Sequence, residues 1–476
     1  MRNLKISLFF VLLFSTGTYA QKKVWNLREC IDRAWQENIQ LKLTISNNSL
    51  NSINEYQSKA ALYPNLNGSA SQGFNFGRSL DPSTYQYVNE SVRSNNFGLN
   101  SNVVLFNGFQ YRNTIKKYGL DVDAGKQQIE KTKNDIALNV AGAYLQILLA
   151  QEQLAVAQSQ VAAAQINVDK TKIMVDVGKL AEANLYQLKS QLAGYKSQEI
   201  TAENQIALAK LTLEQLMELP ASDDFTIEIP VLNGIPLIDT SSTTDQIYKV
   251  ALGNQPQIKG ADLQVQSAAM SYNISKGAYL PKLTLGGSLT SSYSSARNLI
   301  SYEPVITPRD IAFLKSNPTE IVTVNTSTLT PISSPYSFTR QVGDNFGQAL
   351  LFSLSVPIFT NLQTKAGVDR AKVNIEQVQL NQKSTMNDLR KSVEQAYTDL
   401  KAAGKKYIAT QEQVDYSQIS YNNILARFNQ GFSTANDLFI ENSNYIQAKS
   451  ALIQAKYDFI FKQKVLDFYL GKPISL

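Results

Sequence analysis

Histidine, the side chain that most often moves protons near neutral pH, is absent from all 476 residues. Its absence rules out histidine-based triads and most zinc sites. Cys30 is the single cysteine; it sits in LRECIDRAW among apolar helical positions, where a thiol packs as a small hydrophobe, and it has no partner for an intramolecular disulfide. No HExxH, GxSxG or GxxxxGK[ST] pattern occurs, and no pair of carboxylates is spaced for acid and base work. No catalytic residue, cofactor or metal is therefore expected, and the enzyme classes fall away. The carboxylate whose setting stands out is Asp437 in RFNQGFSTANDL. Thr434 followed three residues later by an acid reads as a capping box, with Asp437 in the first helical turn, where the helix dipole favours negative charge.

The N-terminal stretch MRNLKISLFFVLLFSTGTYA has two basic residues ahead of an apolar run at 6–14 and small residues before Gln21. It reads as a secretory signal peptide over residues 1–20, cut after Ala20. The apolar run is too short for a retained span of about 20 residues. Gln21 in place of a cysteine means that no lipid anchor is expected. Removing Arg2 and Lys5 takes the formal charge from +6 to +4, too mild a balance to imply nucleic acid.

The C-terminal half repeats the N-terminal half. Phe106 matches Phe359, Asn134 matches Asn387, Tyr144 matches Tyr397, Gly178 matches Gly431 and Pro220 matches Pro473, all at an offset of 253 residues. Upstream, Ala34, Lys42, Ala61 and Pro64 match Ala251, Lys259, Ala278 and Pro281 at an offset of 217. The step from 217 to 253 is an insertion of 36 residues between the paired strands of the second copy. A tandem duplication of this length is no solenoid, whose units run to about 20–50 residues. The domains follow: a leader at 1–20, a first repeat at 21–220, a linker at 221–243, and a second repeat at 244–476 with a longer loop at 295–344.

Each copy begins with a helix of about 35 residues, expected over 26–61 and 244–278 and closed by LYP and YLP, because proline disfavours helix in the residue before it. Later come proline-free runs at 83–219 and 358–472. Ile129, Ile136, Val140, Tyr144 and Leu148 form a stripe at three- and four-residue steps, as do Leu389, Val393, Tyr397, Leu400, Tyr407 and Val414. Such narrow stripes suit helix-on-helix packing of coiled-coil type. A helix over 110–176 would be roughly 100 Å long, which implies an elongated molecule. Gly178 and Gly431 mark where each rod folds back into a helical hairpin.

Between the helices lie four segments that alternate every second residue. Leu66, Ala70, Phe74 and Phe76 alternate with Asn, Ser and Gly; Phe97, Leu99, Val103 and Leu105 with Asn96, Gly98, Asn100 and Asn102; Leu283, Leu285, Leu289 and Tyr293 with Lys282, Thr284, Ser288 and Thr290; and Phe346, Leu350, Phe352, Leu354 and Val356 with smaller residues. An antiparallel sheet on a soluble core would show the same alternation. The small polar opposite face, and the lack of any other element to cover the apolar one, favour transmembrane strands with Leu99 and Leu285 towards lipid and Asn100 and Thr284 towards a lumen. Four strands cannot close, since membrane barrels begin at about eight and an open edge in lipid is costly. Three chains sharing twelve strands are the simplest closure. Tyr85, Tyr87, Tyr293, Tyr336 and Phe338 fit either an interfacial girdle or loop packing. Asn107-Gly108 and Thr360-Asn361 are expected to bend strand into helix.

This plan, with the opening WNLRECIDRAWQENIQLK and with Arg427, Gly431 and Asp437 in RFNQGFSTANDL, resembles the TolC-like outer-membrane efflux protein family over 24–470. The resemblance implies a mixed α and β fold: a homotrimer with a twelve-stranded transmembrane β-barrel in the outer membrane, continued by a tunnel of twelve α-helices through the periplasm, with the linker at its equator. It implies an outer-membrane channel of a tripartite efflux or type I secretion system, a passive duct for small molecules or a polypeptide. Its hairpin tips, at Gly178, Gly431 and Arg427, would dock a periplasmic adaptor and an inner-membrane pump. Three copies of Asp437 and Thr434 would ring a pore constriction, with Asn184 in the same ring by the repeat register. Asn184 stands where the second copy has Asp437, and Met174 where it has Arg427, which dilutes the charge there. The alternative is a rod-like periplasmic or surface coiled-coil protein, which would share the helices but has no use for four two-faced strands.

Overall fold

The structure, a computed structural model, describes residues 23–80, 85–89, 91–222, 224–230 and 243–474. The expected leader at 1–20 and most of the linker at 221–243 lie outside the described residues. In the first half the elements are β1 (Val24–Trp25), α1 (Leu27–Glu37), α2 (Ile39–Ala60), β2 (Asn65–Asn75), β3 (Arg78–Leu80), β4 (Tyr87–Asn89), β5 (Val92–Asn107), α3 (Gln110–Asp176) and α4 (Glu182–Leu216). The second half follows with β6 (Thr226–Ile227), α5 (Thr244–Asn254), α6 (Pro256–Gly277), β7 (Lys282–Ser294), β8 (Asn298–Leu314), β9 (Asn317–Pro335), α7 (Phe338–Asp344), β10 (Gly347–Ser355), α8 (Gln363–Asn429) and α9 (Ala435–Tyr469). The long helices α3 and α8 each have 67 residues, and α4 and α9 each have 35. Their ends coincide at the offset of 253, and those of α1, α2, α5 and α6 at 217.

Two compact units emerge, and each draws on both repeats: one from the described parts of Met1–Ser52, Gly119–Ser267 and Ile375–Leu476, the other from Ile53–Tyr118 and Ala268–Asn374. In the first, the core gathers round the parallel pair of β1 and β6, with Leu27, Ile31, Val140, Tyr144, Leu213 and Met217 buried together. The Tyr144 hydroxyl donates to the Glu228 carbonyl at 2.5 Å, so the phenol brings its own partner inside. Cys30 is fully buried in this core, and burial pushes its thiol up to about 12. A second cluster joins Ile247, Val393, Leu400 and Phe459. Glu152 of α3 accepts from Lys456 Nζ at 2.8 Å and Tyr457 Oη at 2.7 Å, and Asp399 of α8 from Lys462 at 2.8 Å, so α9 is tied by ion pairs to both long helices.

The single helices expected at 26–61 and 244–278 are each two. Asn38 leaves helical geometry at ψ 124°, and its side chain accepts from the Leu41 N–H at 3.2 Å, starting α2 afresh. Gln255 likewise leaves helical geometry, at ψ 124°, because the following Pro256 disfavours the helical region. The loop expected at 295–344 is also corrected. Most of it is a hairpin of β8 and β9, 17 and 19 residues long, followed by α7. Its Thr, Val and Ile content suits strands, and its prolines had read as loop signals.

In the second unit, β10, β7, β5 and β2 form one antiparallel sheet in that order. Their bounds follow the four alternating segments. Gln341 of α7 is fully buried: its Oε1 accepts from the Ser294 N–H and its Nε2 donates to the Ser294 carbonyl, each at 3.0 Å, pinning α7 to the end of β7.

Candidate functional site

In an antiparallel ladder, residues directly opposite share a face. Leu99 lies opposite Leu289, Val103 opposite Leu285, Phe97 opposite Ala70, and Phe352 and Leu354 opposite Leu285 and Leu283. A bulge at Leu105 brings Phe106 opposite Leu283, keeping that face apolar to the strand's end. The other face pairs Asn100 with Asn67 and Ser288, and Thr284 with Ser353. Leu99 and Leu285 thus share one face, Asn100 and Thr284 the other. Phe338 of α7 packs on Phe97 and Tyr293 at one end of the apolar face, and the rest is open: Leu66 is 68% exposed and Leu350 69%. The edge strands β2 and β10 each have one sheet neighbour. Tyr293 packs on Phe338 at 5.1 Å between ring centres, and Tyr336 bonds Asp344, so these aromatics join in the packing of the segment after β9.

Where strand becomes helix, two consecutive residues take left-handed backbone in each copy: Gly108 and Phe109, both at φ 63°, and Asn361 and Leu362 at φ 48° and 61°. Asn107 and Thr360 stand just before, and their side-chain oxygens accept from the N–H groups of Tyr111 at 3.3 Å and Thr364 at 3.4 Å. Phe109 and Leu362 escaped the sequence reading. A bulky residue at positive φ has no compositional signature, although the Gly or Asn before it, recurring at the repeat offset, marks the place. Gly108 also meets the backbone of Gly277, so a side chain there would strike the Gly277 carbonyl.

At the hairpin ends, Gly178 at φ 73° and Gly431 at φ 83° close α3 and α8 with paired carbonyl bonds. The N–H groups of Lys179 and Gly178 reach the carbonyls of Met174 and Val175, and those of Phe432 and Gly431 reach Arg427 and Phe428, all within 3.0 Å. The two tips then diverge. In the second, Thr434 Oγ1 accepts from the Asp437 N–H at 3.1 Å while the Asp437 carboxylate accepts from the Thr434 N–H at 2.9 Å and its hydroxyl at 2.7 Å. Ser433, which the sequence reading passed over, adds a bond at 3.2 Å. The Thr434 N–H, then its hydroxyl, with lesser help from Ser433 and the Arg427 charge, hold the Asp437 carboxyl below its ordinary value. In the first tip Ala181 occupies the cap position and supplies no side-chain bond, and the Asn184 N–H reaches only the Ala181 carbonyl. Behind the tips, Leu185, Leu188 and Val168 pack with Phe439 and Ile446, and Asn442 donates to Tyr195 Oη at 3.2 Å. Among the described residues no cluster could hold a metal ion, and no helix is long and apolar enough to cross a membrane.

A model of the outer membrane efflux protein family matches residues 34–218 and 247–472. Outer membrane efflux protein BepC of Brucella suis biovar 1 (strain 1330) is 20% identical over 429 residues, 90% of this chain and 81% of that one. Toxin and drug export protein A of Aggregatibacter actinomycetemcomitans is 22% identical over 436 residues, 91% of this chain and 83% of its own. In three dimensions the chain is similar to the outer membrane protein VceC of Vibrio cholerae, with a TM-score of 0.73, 15% identity, and 94% of this chain and 97% of that one covered. At that identity the likeness speaks for the fold.

Proposed function

From the premise that the chain belongs to the outer membrane efflux protein family, we propose that three copies close one twelve-stranded barrel around a passive export duct. The chain is an outer-membrane channel for efflux and not an enzyme. The observation that carries the trimer is the four-stranded sheet with an exposed apolar face and two unpaired edges. In hydrocarbon each unpaired backbone group costs several kcal/mol, so the edges need partners. Because the strand number is even and every pairing antiparallel, β2 and β10 run in opposite directions. The β2 edge of one copy therefore meets the β10 edge of the next in antiparallel fashion, and the ring closes head to tail.

In this reading Leu99 and Leu285 face lipid, and Asn100 and Thr284 line the lumen. The long hairpins continue the duct into the periplasm. A periplasmic adaptor docks at the tips around Gly178, Gly431 and Arg427 and couples the duct to an inner-membrane pump. Asp437 and Thr434, with Asn184 diluting their charge, form the narrowest ring. The cargo is small molecules or a polypeptide. A signal peptide over 1–20 directs export. Light scattering of the detergent-extracted protein tests the assembly: a mass of three chains is expected, and a monodisperse monomer would refute the shared barrel.

A further inference from the structure

The hairpin of β8 and β9 has two unlike faces, and its edges are blunted. Ile300, Tyr302, Pro304 and Ile306 of β8 share a face with Leu329 and Pro331 of β9. The opposite face carries Glu303, Thr307, Thr326, Thr328 and Thr330, interrupted by Leu299, Val305 and Ile332, and is the more polar of the two. The apolar face is unburied, with Ile306 at 67% and Leu329 at 66% exposure. Proline cannot donate, so within a ladder it sits only where its nitrogen points outward. Pro304 and Pro308 on one strand and Pro331 and Pro335 on the other all fall in the same class of pair, so both outer edges lack donors at these positions. Such edges resist strand addition. A partner must meet the hairpin on its face.

The reach of the hairpin narrows the choice of partner. The sheet strands, of 9 to 16 residues, already span the roughly 25 Å apolar band of a membrane barrel, which leaves the hairpin beyond the hydrocarbon. Its 17-residue arm extends about 55 Å, whereas a twelve-stranded barrel is roughly 25 Å across. Along the chain the hairpin lies between β7 and β10, the edge strand that must pair with the next copy. Three hairpins longer than the mouth is wide thus rise round one axis, each bearing an apolar face with no charge from Ile300 to Ile306.

We propose that in the trimer these faces pack against one another, so that a second copy of this chain covers each apolar face and the threonine-rich faces meet water. The inference rests on the trimeric reading and extends it from the barrel to the exterior hairpins. Thiol cross-linking tests it. Cys30 is buried and its thiol held protonated, so single cysteines elsewhere report cleanly. Outer membranes carrying Ile306→Cys or Thr307→Cys would be treated with an oxidant or a bismaleimide, and the mass of the extracted assembly measured in parallel. Ile306→Cys is expected to convert up to two-thirds of the chain to a two-chain species, because one of three thiols is left over, while Thr307→Cys stays single. Three outcomes overturn the proposal while the trimer survives: no cross-link from Ile306→Cys, equal cross-linking from Thr307→Cys, or capture of a protein of different mass by Ile306→Cys. An extracted monomer overturns both readings.

Discussion

Asp437 binds two roles into one carboxylate. It completes the cap of α9 and, in the proposed trimer, stands three times round the axis where charge selects ions. The two roles separate by substitution. Asparagine keeps an oxygen for the Thr434 N–H, so Asp437→Asn is expected to lower cation preference in planar bilayers while the melting temperature of the trimer stays put. A lowered melting temperature with unchanged selectivity would make the residue a cap and nothing more. Thr434→Ala should cost about 1 kcal/mol of local stability, read as faster amide exchange in the first turn of α9. Conversely, Ala181→Thr combined with Asn184→Asp builds the missing box in the first tip and should slow exchange at the start of α4 about fivefold. The Asp437 carboxyl is held below its ordinary 3.8. Its contribution is therefore complete at neutral and mildly acidic pH and is lost only as pH falls through the lowered value. The box was legible because its spacing is local. The missing cap at Ala181 was legible only against the second copy.

Among the elements, glycine separates two demands. Gly178 takes positive φ in open space, so Gly178→Ala carries the left-handed penalty alone, about 1 kcal/mol. Gly108 takes positive φ where a Cβ would strike the Gly277 carbonyl and lie 2.8 Å from Leu280 Cβ. Gly108→Ala is accordingly expected to abolish heat-stable assembly in the outer membrane, and Gly178→Ala to leave its yield nearly intact, as read on unheated gels. The strands give a matching contrast. Leu99→Asp places a charge on the apolar face, where a charge near mid-membrane costs about 2–4 kcal/mol, and should reduce assembly. Asn100→Asp, one residue on and on the opposite face, should assemble normally and change conductance. The alternation that sets this contrast was plain in the sequence. The hairpin at 298–335 was not, because proline and serine imitate a loop until the register shows Pro304, Pro308, Pro331 and Pro335 turned outward. The break at Gln255 was signalled by Pro256 and overlooked, and Asn38 carried no such sign.

For the whole molecule, the even number of strands decides what the chain can become. Edges of opposite direction allow a head-to-tail ring, whereas an odd number would have met its neighbour in parallel. The duplication supplies both halves of the pattern: two strands and two long helices from each copy. The compact units cut across this history, since strands from both copies share one sheet and helices from both share the buried clusters. Cross-linking at Ile306, the mass of the extracted assembly and the cost of a charge at Leu99 are tests at this scale, because each depends on what covers a face that a single chain leaves bare.

The sequence by itself determined whatever rests on short-range periodicity: the helical stripes, the two-residue alternation, the glycines that end α3 and α8, the capping box at Thr434 and Asp437, and the duplication. Each follows from residue type and spacing, which fix local backbone choice and the face a side chain takes. Only the tertiary structure decided which strand lies beside which, since β5 lies between its own copy's β2 and the other copy's β7, a choice set by contacts across some 200 residues. It also decided the left-handed turns at Phe109 and Leu362 and the outward set of Pro304, Pro308, Pro331 and Pro335. These depend on what stands opposite a residue rather than beside it in the chain, and no local pattern carries that information.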